Sequence, residues 1–132
     1  MILLDSNVLL DLWGADPVWR SWSSGQIRGL SILHQLAINV IVYAEISVRF
    51  SSPAIVDQAL DVAGVTVLPI PGAAAYLAGR AHLDYRRKGG IKGNVLPVFF
   101  IGAHAAVLGC SILTRDTRRY ATYFPTVALI AP

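Results

Sequence analysis

Carboxylates are scarce in this chain, and glutamate is almost missing. Eight acids stand against eleven Lys and Arg; seven of the acids are Asp, which leaves Glu45 as the sole glutamate. Charged residues reach only 14% while hydrophobic ones reach 55%, a balance that excludes a disordered chain. The single cysteine, Cys110, cannot close an internal disulfide, so the cytosol is the expected compartment. No paired Cys/His constellation is present, which argues against a zinc site. A secretory leader is not expected either, because Asp5 interrupts the apolar opening and no basic segment precedes it. What the chain does have is length. Its 132 residues suit one domain, residues 1–132, with a core large enough to need no covalent staple.

A clean membrane span is lacking as well. Val95 to Leu113 runs 19 residues without Asp, Glu, Lys or Arg, but Pro97, Gly102, His104, Gly109 and Ser111 interrupt it. Val62 to Gly79 is broken by Pro69 and Pro71. The first run reads as a buried helix followed by a buried strand, with no membrane association.

Alternation of strands and helices is the main pattern. Met1 to Leu4 is a buried strand ending at Asp5; Ser6 and Asn7 are N-cap types for a short helix over Val8 to Trp13. Asp16-Pro17 opens a second helix. Gln35 to Asn39 reads as a strand, followed by a helix around Val42 to Arg49 that carries Glu45. Ser52-Pro53 opens a helix that Gly64 closes, Val65 to Ile70 is a β-branched strand, and Gly72 to Arg87 is a helix. Pro97 starts a helix ended by Gly109; Ser111 to Thr114 and Thr126 to Ile130 are the last strands. The fold class this predicts is α/β, a three-layer sandwich with a mainly parallel central sheet.

In such a sheet ligands bind beyond the carboxyl ends of the strands. Asp5 and Asp116 follow buried strands on that side, and Glu45 sits early in the helix after the second strand. Three carboxylates brought together repel unless a cation is present, and oxygen-only donors suit Mg²⁺ or Mn²⁺. Simpler roles are open to each: Asp5 as a helix cap, Asp116 as the start of a turn, Glu45 as an exposed helical residue. Asp11, Asp57, Asp61 and Asp84 read as solvated helix positions, and Asp16 as a cap.

The motifs are together distinctive. Met1-Ile2-Leu3-Leu4-Asp5-Ser6-Asn7-Val8-Leu9 resembles the start of PIN-domain proteins, and Tyr43-Ala44-Glu45-Ile46 resembles their internal glutamate segment. Phe99 to Ala106 and Leu113-Thr114-Arg115-Asp116 are similar to their C-terminal signature. The tail from Arg119-Tyr120 to Tyr123-Phe124-Pro125 is similar to VapC-type toxins of bacterial type II toxin–antitoxin pairs. The resemblance spans nearly the full length. It implies a PIN-like, Mg²⁺- or Mn²⁺-dependent endoribonuclease, with RNA as substrate, an antitoxin protein as partner and a homodimer as assembly. On it Asp5, Glu45 and Asp116 are catalytic, metal-holding acids. Ser6 and Thr114 support them, and Asn7 either orients a carboxylate or only caps its helix.

One position departs from the pattern. The family usually has Asp directly after the proline, where this chain reads Leu96-Pro97-Val98-Phe99. Valine offers no oxygen, so an expected metal ligand is missing; Asn94, four residues earlier, could offer a neutral one. Val98 marks either a divergent member with a weak or dead site or an inactivating substitution in a toxic nuclease, and the intact neighbouring motifs favour the second. The alternative reading is a catalytically silent PIN fold that binds RNA or an antitoxin without cleaving. A phospho-accepting receiver domain fits poorly, since no Lys follows Lys92.

Eight of the eleven basic residues lie between Arg80 and Arg119, including Arg86, Arg87, Lys88 and Lys92. Such clustering suits phosphate contact, with Arg86, Arg87 and Arg115 the leading candidates, although basic residues also complement a helix C-terminus. Trp19 and Trp22 share a helix face as core or dimer packing, or as a groove for a partner helix. His104 reads as a satisfied buried histidine, and Cys110 as packing.

Overall fold

The computed structural model describes residues 1–91 and 95–132, so Lys92 and Asn94 lie outside the described residues. Five strands form one sheet: β1 (Ile2–Leu4), β2 (Leu36–Asn39), β3 (Val65–Leu68), β4 (Ser111–Leu113) and β5 (Leu129–Ile130). The spatial order is β3-β2-β1-β4-β5 and every pairing is parallel. Ile2 pairs with Leu36 on one side and with Ser111 on the other, so β1 is the central strand. Successive strand residues point to opposite faces, yet all of Ile2, Leu3 and Leu4 are buried, as are all four residues of β2. Both faces of the sheet are therefore covered, as an all-parallel sheet requires.

The covering helices are α1 (Ser6–Leu12), α2 (Pro17–Leu30), α3 (Val40–Ser47), α4 (Pro53–Ala63), α5 (Gly72–Arg87), α6 (Leu96–Leu108) and α7 (Arg118–Tyr123). Local chemistry sets most of their ends. Asp16 accepts from the Val18 and Trp19 N–H groups, with Pro17 in the first turn of α2. Ser52 accepts from Ile55 N–H at the start of α4, and Gly64 ends that helix at φ +72°. α6 is apolar on every side, with Phe99, Ile101, Gly102, Ala103, His104 and Ala105 all buried. This is the long uncharged run of the sequence. At 13 residues it is a core helix, and among the described residues no helix is long and apolar enough to cross a membrane.

The structure corrects three expectations. The cap of α1 is Asp5, not Ser6 or Asn7: the chain turns directly out of β1, and the Asp5 side chain accepts from Ser6 N–H. α3 begins at Val40 because Asn39 both ends β2 and caps the helix, its Oδ1 accepting from Ile41 and Val42 N–H at 3.0 and 3.1 Å. Between Asp116 and Thr126, where the sequence predicts no element, α7 forms. Thr117 gives it no side-chain cap, so the usual start signal is missing, and burial of Tyr120 anchors it instead.

Gly102 permits α6 and the end of α7 to approach closely. A Cβ there would lie 2.2 Å from Cδ2 of Phe124, whose ring is itself buried. Gly102→Ala is expected to destabilise the fold by about 1–3 kcal/mol, the usual cost of overpacking, read as a lowered thermal midpoint. An unchanged midpoint would show that the Phe124 ring yields freely.

Candidate active site

The order β3-β2-β1-β4-β5 reverses direction between β1 and β4, and the crevice beyond their carboxyl ends is where such sheets bind ligands. Asp5 follows β1, and Thr114, Arg115 and Asp116 follow β4. Asp5 is only 5% exposed. Its Oδ1 accepts the Ser6 N–H at 2.8 Å, while Oδ2 accepts from Thr114 Oγ1 at 2.7 Å, Tyr120 Oη at 3.1 Å and Asn7 Nδ2 at 3.3 Å. Burial pushes the Asp5 carboxyl above its ordinary value and the Asp116 charge adds to this; the bonds from Thr114, Tyr120 and Ser6 pull it back.

Asn7 and Thr114 tie the two strand ends together. Asn7 Nδ2 also reaches Thr114 Oγ1 at 3.3 Å, and Asn7 Oδ1 accepts from the Arg115 N–H at 3.2 Å. Thr114 Oγ1 accepts in turn from the Asp116 N–H at 2.9 Å. Asn7 thus orients a carboxylate rather than capping α1. Asp116 is partly exposed, with the Arg119 guanidinium 3.7 Å from its Oδ2.

Glu45 reaches the same region from α3. Its Oε1 is buried and has no hydrogen-bond partner among the described residues. Burial raises its carboxyl above the ordinary value, Asp5 raises it further, and the Ser6 side chain pulls the other way. The charges of Asp5, Asp116 and Glu45 all bear on the buried phenol of Tyr120, which burial first and these charges next hold well above its ordinary value as a protonated donor. Of the three sequence-predicted acids only Asp5 bonds this phenol, while the charges of the other two act on it from further off. Among the described residues, no three His, Cys, Asp or Glu side chains stand close enough to hold one ion together.

Residues 2–125 match the PIN domain. The chain belongs to the PIN-domain family. Solved structures similar to it are VapBC2 from Rickettsia felis bound to a DNA fragment from their promoter (TM-score 0.73, 19% identity, covering 99% of this chain and 98% of that one). VapBC-1 from nontypeable Haemophilus influenzae is also similar (0.71, 19%, 99% and 98%), as is a toxin–antitoxin complex from Klebsiella pneumoniae (0.67, 22%, 100% and 98%). No curated protein matches the sequence.

Within this PIN domain two residues escape the sequence reading. Asp11 is not solvated: it is 9% exposed, and its oxygens accept from Arg115 Nη2 and Nε, each at 2.9 Å, and from Ser23 Oγ at 2.6 Å. The available signal was its place three residues after the buried Val8, on the inward stripe of α1. Tyr120 is the other, legible only as an aromatic spaced three and four residues before Tyr123 and Phe124. Trp19 lies under the Arg115 guanidinium, 4.4 Å from the ring centroid, and Trp22 packs on the core. His104 is buried as expected, its Nδ1 3.4 Å from Asn39 Nδ2, and burial lowers its pKa. Val98 is half-buried against the core. Arg86 and Arg87 are exposed at the end of α5.

The donor chemistry suits a hard divalent ion, although no three of these side chains stand close enough to ligate one together. The donors are all oxygen, Glu45 Oε1 is an orphaned buried acceptor, and Asp5 Oδ1 accepts a single bond. Mg²⁺ commonly takes one or two carboxylates and keeps several waters.

Without a cation the buried carboxylate of Glu45 costs stability. The folded chain holds the Glu45 proton more tightly than the unfolded one, so this cost grows as pH rises above the ordinary 4.5. In chelator Glu45→Gln is expected to melt above the parent at pH 7, because the neutral amide carries neither the burial cost of a charge nor repulsion from Asp5. The gap should close toward pH 4.5. A variant less stable than the parent at pH 7 would contradict the cost assigned to the Glu45 charge.

Proposed function

We propose that this chain is the toxin of a toxin–antitoxin pair, a single PIN domain that cleaves RNA with Mg²⁺ or Mn²⁺ and is weakened by Val98. The orphaned Oε1 of Glu45, buried under the influence of the Asp5 charge at the switch point of the sheet, is the observation that carries this reading. Asp5, Glu45 and Asp116 would hold the ion, not all three by direct contact in the present arrangement but in part through the waters that Mg²⁺ keeps. When bound, a divalent cation stabilises charge on a phosphoryl oxygen and lowers the pKa of water for in-line attack on a phosphodiester. The protein's own work is orientation. Thr114, Tyr120 and Asn7 saturate Asp5 Oδ2, which leaves Oδ1 the oxygen with capacity to spare. Ser6 supplies the backbone bond to that Oδ1 and a hydroxyl beside Glu45.

Two clefts are lined by arginines that follow β4. One, of about 310 Å³, is lined by Asn7, Asp11, Arg49 and Arg115; the other, of about 450 Å³, by Asp116, Arg118, Arg119 and Tyr123. An RNA strand crossing the acids would meet these arginines, and Arg86 and Arg87 would contact the backbone further along. Arg115 keeps Nη1 without a partner among the described residues, available for a phosphate. An antitoxin partner is supported by the similarity to VapBC complexes. A homodimer acting in the cytoplasm completes the reading.

Val98 favours a second reading, a PIN fold that binds RNA or an antitoxin without cutting. Two measurements separate them. Val98→Asp is expected to give, or strongly increase, Mg²⁺-dependent cleavage that Asp116→Asn abolishes. If Val98→Asp cuts no RNA and binds Mn²⁺ no tighter, position 98 is not the missing ligand. In chelator, Arg86→Ala together with Arg87→Ala should make the salt dependence of RNA binding shallower by about 0.7 per lost phosphate contact. An identical slope would remove those two residues from the RNA path.

A further inference from the structure

The ion pair of Asp11 and Arg115 stands outside the group of acids that would hold a metal, and no step above uses the Asp11 carboxylate. Its construction is nonetheless elaborate. Arg115 donates to Asp11 through Nε and Nη2, a two-pronged bond with both distances 2.9 Å, while Ser23 Oγ donates to Asp11 Oδ2 from α2. The Trp19 ring, also on α2, lies against the guanidinium face. The arginine is held at its edge by α1 and on its face by α2, which leaves its planar head one orientation.

The backbone of the same residue belongs to the acidic site. Arg115 N–H donates to Asn7 Oδ1, whose amide donates to Asp5 Oδ2, and the next N–H along, that of Asp116, donates to Thr114 Oγ1. The turn from β4 to α7 is therefore fixed from two sides, by Asn7 and Thr114 within the site and by the Arg115 side chain from behind.

We propose that Asp11 is a positioning residue of the acidic site: by clamping Arg115 against Trp19 it fixes the turn that carries Asp116 and keeps Asn7 aimed at Asp5. A partly exposed ion pair contributes little to stability, and apolar replacements of buried pairs often serve as well. What apolar residues would not reproduce is a single register of the Arg115 backbone. The purpose of this clamp rests on the metal-dependent reading; its geometry does not.

The test is Asp11→Asn in the full chain, followed by amide hydrogen exchange and by Mn²⁺ titration read as paramagnetic broadening of the Ser6 and Asp116 amide signals. The Arg115 and Asp116 amides should exchange about tenfold faster, near the worth of one lost hydrogen bond, while the β1 and β2 amides keep their protection. Half-broadening should need about tenfold more Mn²⁺, as when a partner of a metal ligand is removed. Unchanged exchange at 115 and 116 overturns the proposal, and so does exchange that rises equally throughout β1 and β2, which would mark a purely structural pair. If Mn²⁺ broadens nothing in the parent chain, the metal-dependent reading fails, and exchange still decides the clamp. Arg115→Lys is the second variant, for it keeps the charge but not the two-pronged bond. It must loosen the same two amides; parent-like exchange in it also overturns the proposal.

Discussion

A carboxylate buried at the end of the central strand is the constraint around which this molecule is arranged. Removing such a charge from water costs several kcal/mol unless hydrogen bonds replace its hydration. Asp5 finds those bonds in three separate elements: the Ser6 N–H and the Asn7 amide from α1, the Thr114 hydroxyl from the end of β4, and the Tyr120 phenol from α7. The Thr114 and Tyr120 donors reach Asp5 only when β4 and α7 are docked, whereas Ser6 and Asn7 are its neighbours in sequence. The same bonds that make burial of Asp5 tolerable therefore set the start of α1 and fix β4 and α7 relative to the middle of the sheet.

That dependence explains why a short, poorly capped helix persists near the C-terminus. α7 has six residues and no side-chain N-cap, which is marginal for a helix by itself. Tyr120 is fully buried, and Tyr123 packs edge-on against Phe99 at 5.1 Å between ring centroids. Phe124 closes against Gly102. Packing on α6 and one phenolic hydrogen bond hold α7 where its own sequence would not.

Legibility in the sequence follows the range of the interaction. Caps, proline starts and left-handed glycines act within four residues; they gave α4 and α6 close to their observed limits and the start of α2, while composition gave α5. The alternation of apolar strands with helices identified the parallel sheet and put Asp5 and Asp116 just beyond the ends of β1 and β4. The Asp11–Arg115 pair joins residues 104 positions apart, and the Tyr120–Asp5 bond spans 115. No local periodicity encodes such partners. Asp11 read as solvated because an acid on a short helix usually is; only a basic residue arriving from β4 turns its burial from a penalty into an anchor.

The remaining tension is electrostatic. Glu45 and Asp5 raise the cost of each other's ionisation, and one Glu45 oxygen has no partner among the described residues. A folded protein keeps such an arrangement when another function compensates for it. Every further carboxylate directed at the same spot would deepen the repulsion in the absence of a cation and strengthen binding in its presence. On the nuclease reading, valine at position 98 moves the chain along that scale. There, an Asp would add one more charge to the metal-free fold and one more ligand for an ion, and valine adds neither. The identity of residue 98 then bears on one balance, between a fold that stands without metal and a site that requires it.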